Sequence, residues 1–159
     1  FHPIDPNLLF SGDQEGIVRV WNLARQENVL TLEDNADRII SLSVNNDGYV
    51  ASGSYDATIR IWNVEEGRLT HLLKGHDFVV SDVAFSPDGK LLASASYDES
   101  IKIWDWQRSE VLCTLNGHSG FVYDVAFSDV GNTLVSGGYD GTVRTWDLAA
   151  IADGECLTY

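Results

Sequence analysis

The sequence has no methionine, only three prolines and two cysteines, and few positive charges. Lys and Arg together number 10 against 24 Asp and Glu, so the net charge is −14. A surface of that sign repels phosphate backbones and anionic lipids. No run of about 18 apolar residues is present, and no basic-then-apolar segment opens the chain. The composition therefore argues against nucleic acid and membrane as partners.

The two cysteines, Cys113 and Cys156, belong to no CxxC pair and have no histidine cluster near them. We therefore predict neither a disulfide framework nor a metal site, and no cofactor motif is apparent. Two buried thiols are typical of a reducing compartment, so we expect a cytoplasmic or nuclear protein. A start codon would leave Met before Phe1, so we expect these 159 residues to be a piece of a longer chain.

The tryptophans reveal an internal repeat. Their spacings are 41, 42 and 42 residues, and each is followed by Asn or Asp: Trp21, Trp62, Trp104 and Trp146. A serine stands ten residues before each Trp, an acidic residue six before, and a cation two before. Gly75-His76 and Gly117-His118 precede two of the repeats. Agreement at so many positions is far more specific than any single short motif.

Each repeat carries the pattern of short strands. Between residues 79 and 115, β-branched and alternating runs are separated by the turn Ser86-Pro87-Asp88-Gly89 and by the tight connection Tyr97-Asp98-Glu99. Residues 91–96 and 101–104 are two of the four predicted strands. Four short antiparallel strands in about 42 residues are typical of one propeller blade.

On these residues the chain resembles the WD-repeat β-propeller family. We predict an all-β fold, a partial propeller of four-stranded antiparallel blades. About three and three-quarter blades are expected, at residues 1–33 (incomplete), 36–74, 77–116 and 119–159. So few blades do not close a ring, and open blade faces invite association. We expect further blades of the same chain, or self-association through the open ends.

Ser, His and Asp in each repeat are the residue types of a nucleophilic triad. The set recurs in one register, however, and an enzyme does not need an active site in every repeat. The resemblance implies a structural tetrad instead, in which Asp orients His, His bonds Ser, and Ser meets the Trp indole. Its implied members are His76, Ser94, Asp98 and Trp104; His118, Ser136, Asp140 and Trp146; and Asn35, Ser52, Asp56 and Trp62. We predict no catalytic residue.

Two repeats depart from this pattern. Asn35 stands where the others have His, and Glu15 stands where they have Asp, so we expect weaker networks around Trp62 and Trp21. The cations two residues before each Trp are expected to stack on neighbouring rings or to pair with carboxylates such as Asp82 and Asp124.

A tyrosine precedes the acidic turn residue in three repeats. The resemblance implies that this position and those shortly after Gly-His contribute to partner binding on the top face of the propeller. Aromatic residues with a polar tip are favoured at such surfaces, although the rings could instead pack against the neighbouring loop. The candidate partner-binding residues are Gln14, Arg38, Tyr55, Asp77, Val79, Tyr97, Phe121, Tyr123 and Tyr139.

The resemblance implies a non-catalytic scaffold for an unidentified protein or peptide partner. Two alternatives remain open. One is an enzyme, although the sequence shows no phosphate loop, metal cluster or unrepeated nucleophile-base pair. The other is a regulatory or sensing propeller attached to a kinase or nucleotidase elsewhere in the full-length chain.

Overall fold

The computed structural model describes residues 2–34 and 37–149, and within these ranges the regular structure is entirely β. Four separate antiparallel sheets follow one another along the chain. The prediction of an all-β partial propeller is therefore confirmed. In the described ranges no helix is long and apolar enough to cross a membrane.

Each sheet is a run of consecutive strands. The first sheet is formed by β1 (Leu8–Gly12), β2 (Val18–Asn22) and β3 (Glu27–Leu32). The second is formed by β4 (Ile39–Val44), β5 (Tyr49–Ser54), β6 (Thr58–Asn63) and β7 (Arg68–Lys74). The third is formed by β8 (Val80–Phe85), β9 (Leu91–Ser96), β10 (Ser100–Asp105) and β11 (Glu110–Asn116). The fourth is formed by β12 (Val122–Phe127), β13 (Thr133–Gly138) and β14 (Val143–Asp147).

These four sheets, called blades 1 to 4 below, fall within the four ranges expected from the repeat. The end of the last range, residues 150–159, lies outside the described residues, as do Asn35 and Ala36. The blade boundaries therefore stay a prediction.

The apolar core lies between neighbouring blades. Ile101 and Ile103 of blade 3 share a buried cluster with Trp146 of blade 4, whereas Trp104, on the opposite face of the same strand, shares a second cluster with Ile59 of blade 2. Blades 1 and 2 enclose a third cluster. Alternate residues of a strand point to opposite faces, so each inner blade buries both of its faces. Every blade consequently depends on its neighbours for stability, as in other repeat proteins.

Side chains of one blade also cap the backbone of the next. The inner strands β4, β8 and β12 lie side by side. Ser43 accepts a hydrogen bond from the Phe85 amide at 3.0 Å, and Asp82 accepts one from the Val125 amide at 3.0 Å. An edge strand presents unpaired amides that must find partners. These contacts satisfy them and hold the blades in register.

The outer face of blade 4 is apolar and uncovered by any described residue. Val143 is 75 % exposed there, although its equivalents Ile59 and Ile101 are 1 % and 0 % exposed. Val135 is 38 % exposed, whereas its equivalent Ala93 is 0 % exposed. The face therefore has the composition of a blade interface without a neighbouring blade.

The expectation of two unpaired thiols is wrong. Cys113 is buried on β11 and is disulfide-bonded. Cys156 lies outside the described residues. The cysteines therefore give no support to the expectation of a reducing compartment.

Candidate functional site

The structure brings two complete sets of Asp, His, Ser and Trp together. In blade 3, His76 Nδ1 lies 2.7 Å from Asp98 Oδ2 and His76 Nε2 lies 2.7 Å from Ser94 Oγ. The indole N–H of Trp104 donates to the same Ser94 oxygen at 2.8 Å. Blade 4 repeats the arrangement with His118, Asp140, Ser136 and Trp146 at 2.8–2.9 Å.

These networks are enclosed by the fold. The side chains of His76 and His118 are each 1 % exposed, and Ser94 is fully buried. The Ser94 oxygen is already shared by a histidine and an indole, so it is not available to attack a substrate. A buried polar group left without a partner costs about 1–3 kcal/mol, and the network avoids that cost for each member. The geometry therefore favours a structural role, in which the network holds the loop that carries His76 against the strands that carry Ser94 and Trp104.

The tetrad carboxylates are held in their ionised form. Burial by itself raises the pKa of Asp98, but hydrogen bonds from His76 and Ser100 outweigh burial and hold this pKa well below its usual range. Hydrogen bonds from the Thr142 hydroxyl and amide do the same for the pKa of Asp140. Each carboxylate also accepts the amide that follows the histidine, Asp77 or Ser119, at 3.1 Å.

Blades 1 and 2 satisfy their carboxylates differently. In blade 2, Arg60 is buried and pairs with Asp56 at 2.9 Å. The Trp62 indole lies 3.5 Å from Ser52 Oγ, farther than in the other blades. Asn35, predicted to replace the histidine, lies outside the described residues.

In blade 1 the expected role of Glu15 is corrected. Asp13 pairs with Arg19 and accepts the amides of Glu15 and Ile17, because the turn places its carboxylate over them. Trp21 still donates to Ser11 at 2.8 Å. Arg19 and Arg60 therefore pair with carboxylates of the tight turn rather than with inner-strand carboxylates such as Asp82, whereas Lys102 of blade 3 donates to Thr114. Asp13 stands two positions before Glu15, and its acidic side chain was the one sequence signal that could have pointed to it.

The three tyrosines occupy the same place in successive blades. The amides of Tyr55, Tyr97 and Tyr139 each donate to a carbonyl of the loop that leads into the same blade, at 3.0, 3.0 and 2.8 Å. Tyr55 and Tyr139 are 47 % and 71 % exposed, and Tyr97 is partly buried. Gln14 and Asp77 are exposed as well. Val79 is only 8 % exposed, so almost none of its side chain is available to a partner.

Four rings form one group across blades 3 and 4, which we call the aromatic cluster: Tyr97, Phe121, Tyr123 and Tyr139. Tyr97 stacks on Phe121 with ring centroids 4.6 Å apart and an interplanar angle of 15°. The Tyr123 ring is nearly perpendicular to those of Tyr97 and Tyr139, at 79° and 83°, and the centroid of Phe121 lies 6.1 Å from that of Tyr139. Phe121 and Tyr123 remain 44 % and 45 % exposed. The mutual contacts hold the rings in place while leaving apolar area at the surface.

A depression of about 360 Å³ adjoins the aromatic cluster. It is lined by Glu99, Ser119, Gly120, Phe121 and Tyr139. Sequence reasoning missed Glu99, although it is the one acidic residue at a position held elsewhere by Gly16, Ala57 and Gly141. Among the described residues, no group of three or more His, Cys, Asp or Glu side chains is placed to hold a metal ion.

An inner-strand carboxylate, Asp82, bridges three blades. It accepts hydrogen bonds from Ser41 of blade 2 and from the Val125 amide of blade 4. Burial and the neighbouring Asp124 carboxyl raise the pKa of Asp82 to about 6. The folded protein therefore holds this proton more tightly than the unfolded chain does. Stability gained in this way is present at low pH and is lost as the pH rises through about 6.

We expect Asp82→Asn to reduce the fall in stability between pH 4.5 and pH 7. The amide cannot ionise, so the variant no longer places a buried charge beside Asp124 at neutral pH. Urea unfolding midpoints of the wild type and the variant at both pH values measure the effect. Asp129→Asn, an exposed position, serves as the control and should retain the wild-type difference. An unchanged pH difference in Asp82→Asn contradicts the role assigned to this carboxyl.

Comparison with known proteins gives the family of the chain. Residues 26–63, 67–105 and 109–147 match the model of the WD domain, G-beta repeat. Coronin-7 of Mus musculus is 35 % identical over 99 residues, which are 57 % of this chain and 11 % of coronin-7. WD repeat and SOCS box-containing protein 1 of Homo sapiens is 32 % identical over 91 residues, 55 % of this chain and 22 % of that protein.

A shorter match has higher identity. F-box-like/WD repeat-containing protein TBL1Y of Homo sapiens is 56 % identical over 41 residues, 26 % of this chain and 8 % of that protein. Each of these matches spans less than a quarter of the relative's own length. The family model itself covers more than half of this chain, in the same repeats that carry the tetrads and the tyrosines. The chain belongs to the WD-repeat family.

Proposed function

We propose that this chain is a non-catalytic platform for protein partners and that it binds them through its tyrosine face. By tyrosine face we mean the surface that carries Gln14, Arg38, Tyr55, Asp77, Tyr97, Phe121, Tyr123 and Tyr139. The aromatic cluster is the observation that carries the proposal. Tyr and other aromatic residues are enriched at binding hot spots because they bury a large area at little cost in conformational entropy.

The tetrads support a binding role over a catalytic one. Their Ser and His side chains are buried and share their hydrogen bonds with indoles, and two blades repeat the same geometry. The relatives carry names of WD-repeat proteins or of coronin-7, and no feature of the described residues favours an attached kinase or nucleotidase.

The outer face of blade 4 is apolar and exposed, as expected of a face that packs against another blade. Val143 and Val135 occupy positions that are fully buried against the following blade elsewhere in the chain. We infer that a further blade of the full-length protein covers this face. Tyr97 stacks on Phe121 of the following blade and still remains partly exposed, so we expect Tyr139 to become partly covered in the same way when that blade is in place.

The tyrosine face is tested by comparing two double variants of the full-length protein. We expect Tyr97→Ala with Phe121→Ala to reduce co-purification of specific partners at least tenfold, because the variant removes the stacked centre of the aromatic cluster. Quantitative affinity purification from cells measures the retained proteins against the wild type. Near-UV and far-UV circular dichroism establish that the variant stays folded.

The matched control is Leu72→Ala with Leu112→Ala. Both residues are apolar, lie on the outer strands β7 and β11, and are 39 % and 42 % exposed. This variant should retain the wild-type partners. Loss of the partners in the control, with retention in the aromatic variant, would place binding on the blade edges and overturn the proposal.

A further inference from the structure

We propose that the depression beside the aromatic cluster receives a positively charged side chain, Lys or Arg, from an extended segment of a protein partner. The inference rests on the proposed function and names the chemistry that this part of the tyrosine face selects. It follows from the depression's lining, from a contact within the chain itself, and from the charge of the surface.

The lining of the depression combines a carboxylate with aromatic walls. Glu99 lines it together with Phe121 and Tyr139, whose ring centroids lie 6.1 Å apart. None of the lining residues is basic. A cation over an aromatic ring is attracted by the electron-rich face, and a nearby carboxylate adds a direct charge interaction. A guanidinium or ammonium group is attracted both by the aromatic rings and by the carboxylate, whereas an anion is attracted by neither.

Blade 2 contains the same kind of contact within the chain. The Arg38 guanidinium carbon lies 4.5 Å from the centroid of the Tyr55 ring. By repeat position, Tyr55 corresponds to Tyr139, and Arg38 corresponds to Phe121. Blade 4 therefore keeps the tyrosine but has an aromatic ring in place of the arginine. A partner's cation would supply in blade 4 what Arg38 supplies in blade 2.

Glu99 is held in a conformation that its residue type does not favour. Its φ is 70°, in the left-handed region, where the equivalent residues Gly16 and Gly141 have φ of 80° and 74°. Glycine takes this conformation freely, but a side chain with a Cβ is strained there. No hydrogen bond or ion pair among the described residues engages the Glu99 carboxylate. Ala57 has the same conformation in blade 2, with φ of 67°, so the turn itself sets this backbone geometry and leaves the Glu99 carboxylate at the depression for a ligand.

The surrounding charge favours the same ligand. Asp77 is exposed at the adjacent turn, and Asp124 is exposed on β12 next to Tyr123. The chain as a whole carries a net charge of −14. Such a field attracts cationic segments and speeds their encounter, and it disfavours acidic ones.

The test uses three fluorescein-labelled peptides of the same length and spacing, Gly-Ser-Ala-X-Ala-X-Ala-Ser-Gly, in which X is Lys, Arg or norleucine. Norleucine keeps the apolar stem of Lys but carries no charge. We expect the Lys and Arg peptides to bind the full-length protein at least tenfold more tightly than the norleucine peptide. Fluorescence anisotropy at about 50 mM salt measures the affinities, and the difference should shrink as salt is raised.

Variants of Glu99 separate the carboxylate from the fold. Glu99→Gln is expected to weaken binding of the cationic peptides about tenfold, and Tyr139→Leu to weaken it about fivefold. Glu99→Gly is expected to weaken binding as much as Glu99→Gln while raising the urea unfolding midpoint, because glycine relieves the left-handed strain. Glu65→Gln, at the exposed turn between β6 and β7, makes the same change in net charge and should leave binding unchanged.

Three outcomes overturn the inference. Equal binding of the norleucine peptide would show an apolar site, and unchanged binding in Glu99→Gln would remove the carboxylate from it. Equal losses of affinity in Glu65→Gln and Glu99→Gln would show that the peptides respond to the overall negative charge of the protein and not to the Glu99 carboxylate. If these occur while Tyr97→Ala with Phe121→Ala still loses partners, the proposed function stands and only the cation preference fails. Retention of all partners by that aromatic variant makes the proposed function fail instead.

Discussion

Trp104→Ala is expected to lower the free energy of unfolding by about 3–5 kcal/mol, because a large side chain at the junction of two blades is replaced by a cavity. Trp104 is 1 % exposed and packs in the cluster that joins blades 2 and 3. Because neighbouring blades stabilise one another, the weakened interface should destabilise blades 2 and 3 together. Urea unfolding of the full-length protein, followed by circular dichroism, measures the change.

A second substitution at the same position separates packing from hydrogen bonding. Trp104→Phe keeps most of the ring but removes the indole N–H that donates to Ser94 at 2.8 Å. Trp62→Phe is the matched control, since Trp62 is equally buried but lies 3.5 Å from Ser52. We expect Trp104→Phe to cost about 1 kcal/mol more than Trp62→Phe. Equal losses would show that the two networks do not differ in energy.

The second large effect is expected at Asp98. Asp98→Ala should lower the free energy of unfolding by about 3 kcal/mol at pH 7, since it leaves His76, Ser100 and the Asp77 amide without their charged acceptor. The side chain is only 10 % exposed, so water does not readily replace it.

This cost should depend on pH in a defined direction. The folded-state pKa of Asp98 lies below the usual value of 3.8, so its contribution is fully present above about pH 4 and is lost as the pH falls further. Urea midpoints at pH 7, 5 and 3 should show the difference between wild type and variant shrinking only at the lowest value. Asp129→Ala, at an exposed position, should show no such trend. A difference that stays constant to pH 3 would mean that the carboxylate charge contributes nothing to this network.

The repeat spacing was sufficient to predict the strands closely. The strand predicted at residues 91–96 is observed as Leu91–Ser96, and the run 101–104 lies within Ser100–Asp105. Alternation and turn residues are local signals, and here they agree with the packing between blades. The residue types of the tetrads could be named in the same way, because equivalent positions recur in each repeat.

Other features depended on how the blades meet. The sequence pointed to Glu15 in blade 1, but the turn geometry brings Asp13 to Arg19 instead. Val79 looked equivalent to Phe121 by position, yet one is buried and the other exposed. A repeat pattern assigns a residue to a place within a blade, but it does not say which neighbouring side chain covers that place. Exposure at the top of the blades is therefore decided by packing.

The sequence by itself determined the all-β repeat, the place of the strands within each repeat and the acidic composition, because periodicity, turn chemistry and net charge are properties of the chain. Only the tertiary structure decided the grouping of Tyr97, Phe121, Tyr123 and Tyr139, and the depression that Glu99 borders. These residues come from two blades and lie up to 42 positions apart in the chain. Their proximity follows from the packing of one blade against the next, which no local pattern encodes.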